Sequence, residues 1–279
     1  MSKKLKSVGS VFMAICLAVT MSSTSLFAVV ADAIENSTEK VTQERSKDSS
    51  NEQAQEDKTS NDVSSEEGSS LGWYDAEKTS FTISSEDDLV LLSKIVNGTA
   101  EDAGGNKVQD SFKEKTIKLS ANLDLKGVDI APIGTSANQF EGTFNGNDKS
   151  INLSISSEEG NQALFAYNNG IIKNLEITGS VSGKEYVAGL VANNTGTIKN
   201  INSSVTVTAT NDYAGGIVYK NGGTIERCNN TGNISSYRFT GGIAAINSYN
   251  VIKCTNSATI TCTGKDTSYN SCKGTAGIT

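Results

Sequence analysis

The sequence predicts an all-β chain wound as a right-handed parallel β-helix, and three observations predict it. Short phrases recur, Asn-Thr-Gly-Thr-Ile-Lys at 194–199 and Asn-Gly-Gly-Thr-Ile-Glu at 221–226. Three apolar columns keep a step of 26 or 27 residues: Ile172, Ile198, Ile225, Val251; Leu175, Ile201, Cys228, Cys254; Val181, Val207, Ile234, Ile260. Between them lie Ser, Thr, Asn, Gly and Lys, with no run of helical spacing, as expected of short strands with one face inward.

Energy explains why the units come in series. Four or five buried side chains per coil contribute about 1.5–3 kcal/mol each, whereas fixing each backbone residue costs roughly 1–2 kcal/mol. One coil cannot fold alone, so stability has to come from stacking. Parallel crossovers within a sheet are right-handed, which sets the expected sense of winding.

At the N-terminus, Lys3, Lys4 and Lys6 precede an apolar run from Val11 to Met21 and a close on Ala31-Asp32-Ala33. Residues 1–33 therefore read as a cleaved secretory signal, the run being too short to span a bilayer. Cys16 would suggest a lipid anchor, but Ile15 before it is not the small residue such a site needs. Residues 34–70 are mostly Ser, Glu, Asp, Lys, Asn, Gln and Thr with almost no large apolar residue, and read as a disordered polar linker that cannot bury enough surface to offset its ordering entropy.

Residues 71–111 read as a cap with a short helix. Ser84 or Ser85 caps it with Asp87 or Asp88 three residues on; Leu89, Leu92, Ile95 and Val96 share a face, and Asn97-Gly98 stops it. Such a helix covers the first coil's edge, which would otherwise recruit other chains. Trp73, beside Tyr74, is expected as a packing plug there. Residues 112–279 are the coils. Leu164-Phe165, Gly189-Leu190, Gly216-Ile217, Gly242-Ile243 and Gly277-Ile278 open successive units. Because the last unit has only begun, the chain is expected to be a fragment of a longer one.

Asn169, Asn194, Asn221 and Asn247 are assigned to one turn column, followed by Gly170, Gly196 and Gly222-Gly223. Both residue types tolerate positive φ, and stacked amides form a hydrogen-bonded ladder, so the column reads as structural.

At these residues the sequence resembles bacterial surface proteins with GLUG-type repeats, also seen in the N-terminal region of IgA1-protease-like zinc metallopeptidases. The likeness rests on Phe81-Thr82-Ile83 with Leu89, Thr116 to Leu119 with Asp124-Leu125, Pro132-Ile133-Gly134, and Phe140 to Gly146. It continues in Gly189 to Ala192 with Ile198 to Asn200 and covers residues 73–279. Two departures are Asn147-Asp148, where a Gly is usual, and Ala192, where a second Gly often stands. The resemblance implies an extracellular β-helix module and brings no catalytic residue, because the peptidase's zinc motif belongs to a separate domain.

Composition narrows the chemistry. The chain has no His, which removes Ser-His-Asp and Cys-His catalysis and every His-ligated zinc site from it. Its net charge of −7, without a cluster of Lys and Arg, argues against nucleic acid.

Two neighbouring columns are the candidate site. Glu185, Asp212 and Arg238 read as an inter-coil charge ladder or, alternatively, as the gathered carboxylates a carbohydrate-active β-helix needs. Tyr186, Tyr213 and Phe239 read as packing or as a strip for sugar faces or a partner protein. Cys228 and Cys254 are expected as buried free thiols. Cys262 and Cys272 flank an insertion of about nine residues and suggest a disulfide clip outside the cell.

The expected function is non-catalytic, a cell-surface module for adhesion or structural display at the front of a larger protein. Its partner would be a surface protein or polysaccharide of the host or a neighbouring cell. No cofactor, no metal, and no membrane insertion after signal cleavage are expected. The alternatives are the accessory region of a secreted zinc metallopeptidase, or a polysaccharide lyase or hydrolase.

Overall fold

A computed structural model describes residues 71–264 and the backbone of 274–276. The expected signal (1–33) and linker (34–70), Cys16, Cys272 and the Gly277-Ile278 opening lie outside the described residues. Within them the chain is a parallel β-solenoid.

The longest ladder sets the pitch. Phe81 pairs with Ile117, Ile117 with Phe144, Phe144 with Ile172, and the column continues through Ile198 and Ile225 to Val251. From Ile172 onward the steps are those read from the sequence. The first turn is longer because it carries a helix, Glu86–Asn97, and a small antiparallel pair, Ala100–Glu101 with Lys107–Val108. Strand Ser80–Ile83, inside the segment expected as cap, already belongs to the ladder.

Two further parallel sheets complete each coil. One stacks Phe165–Asn168, Val191–Asn194, Val218–Asn221 and Ala244–Asn247. The other stacks Val187–Ala188, Tyr213–Gly215, Phe239–Gly241 and Gly274–Ala276. The step from Phe239 to Gly274 accommodates the insertion expected after Cys262. Leu190, Ile217 and Ile243 are fully buried one above another, Leu190 N–H donating to Ile217 O at 3.0 Å and Ile217 N–H to Ile243 O at 3.1 Å.

The cap follows local rules. Ser85 is the N-cap: its hydroxyl accepts from Asp88 N–H at 3.2 Å, while the Asp88 carboxylate accepts from Ser85 N–H at 3.1 Å and Ser84 N–H at 2.8 Å. Gly98, at φ 72°, ends the helix in the left-handed region. Leu89, Leu92, Ile95 and Val96 are buried in the same core as the coils. Trp73 plugs the junction, its indole N–H donating to Asp88 O at 3.1 Å and its ring 5.4 Å from Phe81.

The asparagine column needs a correction. Asn168, not Asn169, lies in register with Asn194, Asn221 and Asn247. Asn169 sits beside the turn, its amide near Glu141 and accepting from Thr195 Oγ1 at 3.1 Å. The sequence offers two adjacent asparagines at that turn, and only the register of the parallel ladder chooses between them.

Nor do these asparagines or their glycines use positive φ. A Cβ on Gly196 would lie 2.1 Å from Gly170 O, and one on Gly223 2.1 Å from Gly196 O. Glycine is required there because successive coils touch. The left-handed residues form another column, Asn174, Asn200, Arg227 and Lys253, at φ between 51° and 54°. Asn147 and Asp148, at φ 51° and 56°, shape the irregularity in strand Thr143–Ser156. Glycine adopts that conformation most readily, and Asn and Asp are among the side chains that tolerate it.

Candidate functional site

The strip of interest lies where the third sheet meets solvent. Tyr213 pairs with Phe239, and Ala214 with Val187, which brings Tyr186, Tyr213 and Phe239 into one column and Glu185, Asp212 and Arg238 into the next. Parallel strands about 4.8 Å apart hold side chains of one column within ring-stacking distance.

The rings use that proximity on each other. Tyr186 and Tyr213 stack at 5.8 Å with 26° between planes; Tyr213 and Phe239 stack at 4.6 Å and 8°. Both faces of Tyr213 are therefore covered by neighbouring rings. Glycine terminates the stack: Gly274 pairs with Phe239, and a Cβ on Gly160 would lie 3.3 Å from the Tyr186 ring. All three rings are half-buried, so the strip keeps a solvent-exposed side. Inner ring faces are closed to a sugar, which confines contact with a partner to ring edges and the two end faces.

Tyr219 is the residue that sequence reading missed. Its ring lies 4.9 Å from Tyr186 and 5.4 Å from Tyr213, and it is buried with Ala163, Ala188 and Ala192 in a cluster separate from the main core. Burial first, then the neighbouring Tyr186 and Tyr213, push its hydroxyl up to about 12. The available signal was the small residues that share its column, Ala166, Ala192 and Ala245: a tyrosine among alanines needs room, and the corner between two sheets supplies it. Tyr186 itself has φ 62°, uncommon for so bulky a side chain.

Of the charged column, the structure joins two members. Arg238 donates from Nε to Asp212 Oδ1 and from a terminal nitrogen to Asp212 Oδ2 at 2.7 Å, a two-pronged pair. This bonding raises the already high pKa of the guanidinium. Glu185 shares the column by register, but its carboxylate takes no part in the pair. Among the described residues no group of three or more Cys, Asp or Glu converges in a way that could hold a metal ion.

The remaining candidates are cysteines. Cys228 and Cys254 are buried free thiols in adjacent coils, Cys228 N–H donating to Cys254 Sγ at 3.4 Å. A hydrogen bond between the two thiol side chains lowers the Cys254 thiol to about 7, and the same bond together with burial drives Cys228 upward. Cys262 is disulfide-bonded; Cys272, expected as its partner, lies outside the described residues.

No known family profile matches this chain, and no curated protein matches it. Among solved structures, the chain is similar to a Bacteroides ovatus protein described as a "putative immunoglobulin A1 protease". The likeness has 17% identity and a TM-score of 0.44 over 70% of this chain and 82% of that one.

Proposed function

We propose that this chain is a non-catalytic extracellular module of the GLUG-repeat kind, a stiff solenoid that displays a lateral strip to a surface protein or polysaccharide of a host or neighbouring cell. One observation carries the reading: the side chains best suited to chemistry are spent on holding coil to coil. Asp212 is engaged by Arg238, and Tyr213 is covered on both faces. A general acid or base has to reach a substrate proton, and a carboxylate held in a two-pronged pair is a poor candidate for that task.

Stiffness supports display. Ladders of backbone, amide and ring contacts repeat from coil to coil, so a load applied along the side is shared among coils. The test is a glycan array and a pull-down from surface extracts with the 279-residue chain. Binding that is weakened by Tyr186→Ala or Phe239→Ala is the expected result. Turnover of a polyuronate in the presence of calcium, abolished by Asp212→Ala, would replace this reading with the enzymatic one.

A further inference from the structure

The sequence scatters its lysines, and the winding gathers three of them. On the outer face of the long sheet, Lys118 pairs with Asn145, Asn145 with Lys173, and Lys173 with Lys199, so these side chains form one column across neighbouring strands. Glu226 comes next in the column, but its carboxylate is engaged by Arg227 at 2.6 Å. Among the described residues none of the three lysines makes an ion pair or a side-chain hydrogen bond. Like charges directly opposite each other on adjacent strands destabilise a sheet, and Lys173 with Lys199 is such a pair. An anion lying over the column would relieve that repulsion.

A second column shares the face, two residues earlier on each strand: Thr116, Thr143, Ile171, Thr197 and Thr224. Its hydroxyls can both donate and accept. Ile171, between Thr143 and Thr197, is 38% exposed, and among the described residues only Tyr249 and Ile252 are large apolar side chains more open to solvent. Beyond the lysines a bonded corner bounds the strip, where Asn174 donates to Asn145 Oδ1 at 3.2 Å and Asn200 to Asn174 Oδ1 at 2.9 Å.

We propose that this face binds a linear acidic polysaccharide with a carboxylate on each sugar, lying along the solenoid axis. A pyranose unit is about as long as one strand spacing. Successive carboxylates therefore fall over Lys199, Lys173, the Asn145 amide and Lys118, while the C–H face of one ring rests on Ile171 and sugar hydroxyls meet the threonines. Nucleic acid is a poorer fit, because the two columns hold no arginine and no ring on which a base could stack, and the chain's net charge of −7 opposes a phosphate polymer. The site lies on a different sheet from the stacked rings and does not depend on them.

Calorimetric titration of the 279-residue chain with an oligogalacturonate tests this. Saturable binding that weakens as salt is raised is expected, about tenfold weaker in Lys173→Gln/Lys199→Gln and weakened also in Ile171→Glu, which sets a carboxylate beside Lys173. All three side chains are at least partly exposed, and unchanged circular dichroism checks that each variant folds. Lys94→Gln/Lys220→Gln makes the same change in net charge on the helix and the second sheet, and should bind as the parent does. No binding, equal loss in that control, equal affinity for neutral dextran, or tighter binding of single-stranded DNA to the same lysines would each overturn the proposal. So would loss in Tyr186→Ala with none in the lysine variant, which assigns the polymer to the aromatic strip instead.

Discussion

Removing Asn221 should be among the most damaging polar substitutions in the solenoid. Its side-chain nitrogen donates to Gly223 O at 2.9 Å and Asn247 Oδ1 at 2.8 Å, while its oxygen accepts from Asn194 at 2.8 Å and Gly223 N–H at 3.2 Å. The residue is fully buried, so Asn221→Ala admits no water in exchange. A net hydrogen bond is worth about 0.5–1.5 kcal/mol, and a buried group left unpaired costs about 1–3 kcal/mol. Asn194 retains Gly196 O at 3.2 Å, which limits the loss to the Gly223 backbone groups, the longer bond to Asn250 O at 3.3 Å and the two severed axial bonds. The sum is about 2–4 kcal/mol of destabilisation. Asn247, half-buried and the last asparagine of the ladder among the described residues, should lose less than about 1 kcal/mol on the same change. Equilibrium urea denaturation followed by circular dichroism measures both. If Asn221→Ala falls within about 0.5 kcal/mol of the parent, or Asn247→Ala costs as much, the ladder does not act as described.

Leu190→Ala leaves a cavity between two coils and should cost about 2–5 kcal/mol by the same denaturation assay. Tyr213→Phe should be close to neutral, whereas Tyr213→Ala loses two stacking partners at about 0.5–1.5 kcal/mol each and the aromatic signal in near-ultraviolet circular dichroism. Lys253 occupies the left-handed region at φ 52°, where asparagine is better tolerated. Lys253→Asn should therefore raise the melting temperature, by an amount equivalent to about 0.5–1 kcal/mol. The Cys254 thiol, lowered from 9.0 to about 7 in the fold, gives a pH signature. A depressed acid pKa contributes stability that is fully present above 9 and lost as pH falls through 7. Iodoacetamide should modify Cys254 ahead of Cys228, with an onset near neutral pH, and Cys254→Ser should abolish that onset.

The strand columns were legible because a coil repeats its inward residues at a fixed step, so Ile198 and Ile225 announce each other. The helix was legible because its start and stop chemistry, Ser85 with Asp88 and Gly98, is local. Asn168 was misplaced by one residue because two adjacent asparagines fit the turn equally well. Tyr219 escaped because it faces outward, into a corner made by two sheets, and nothing in its own neighbourhood along the chain marks that corner. The candidate site was half legible: columns placed the rings and charges side by side, but could not say that the rings would close on one another.

Sequence alone determined that this chain winds, at what step, and which side chains line the interior, since periodic burial is a property of order along the chain. Only the tertiary structure decided what each outward residue does with its neighbours. Whether glycine serves a turn or a contact, and whether a tyrosine offers its face or hides it, both depend on atoms from the next turn. Those atoms are some 26 residues away in sequence and one strand spacing away in space.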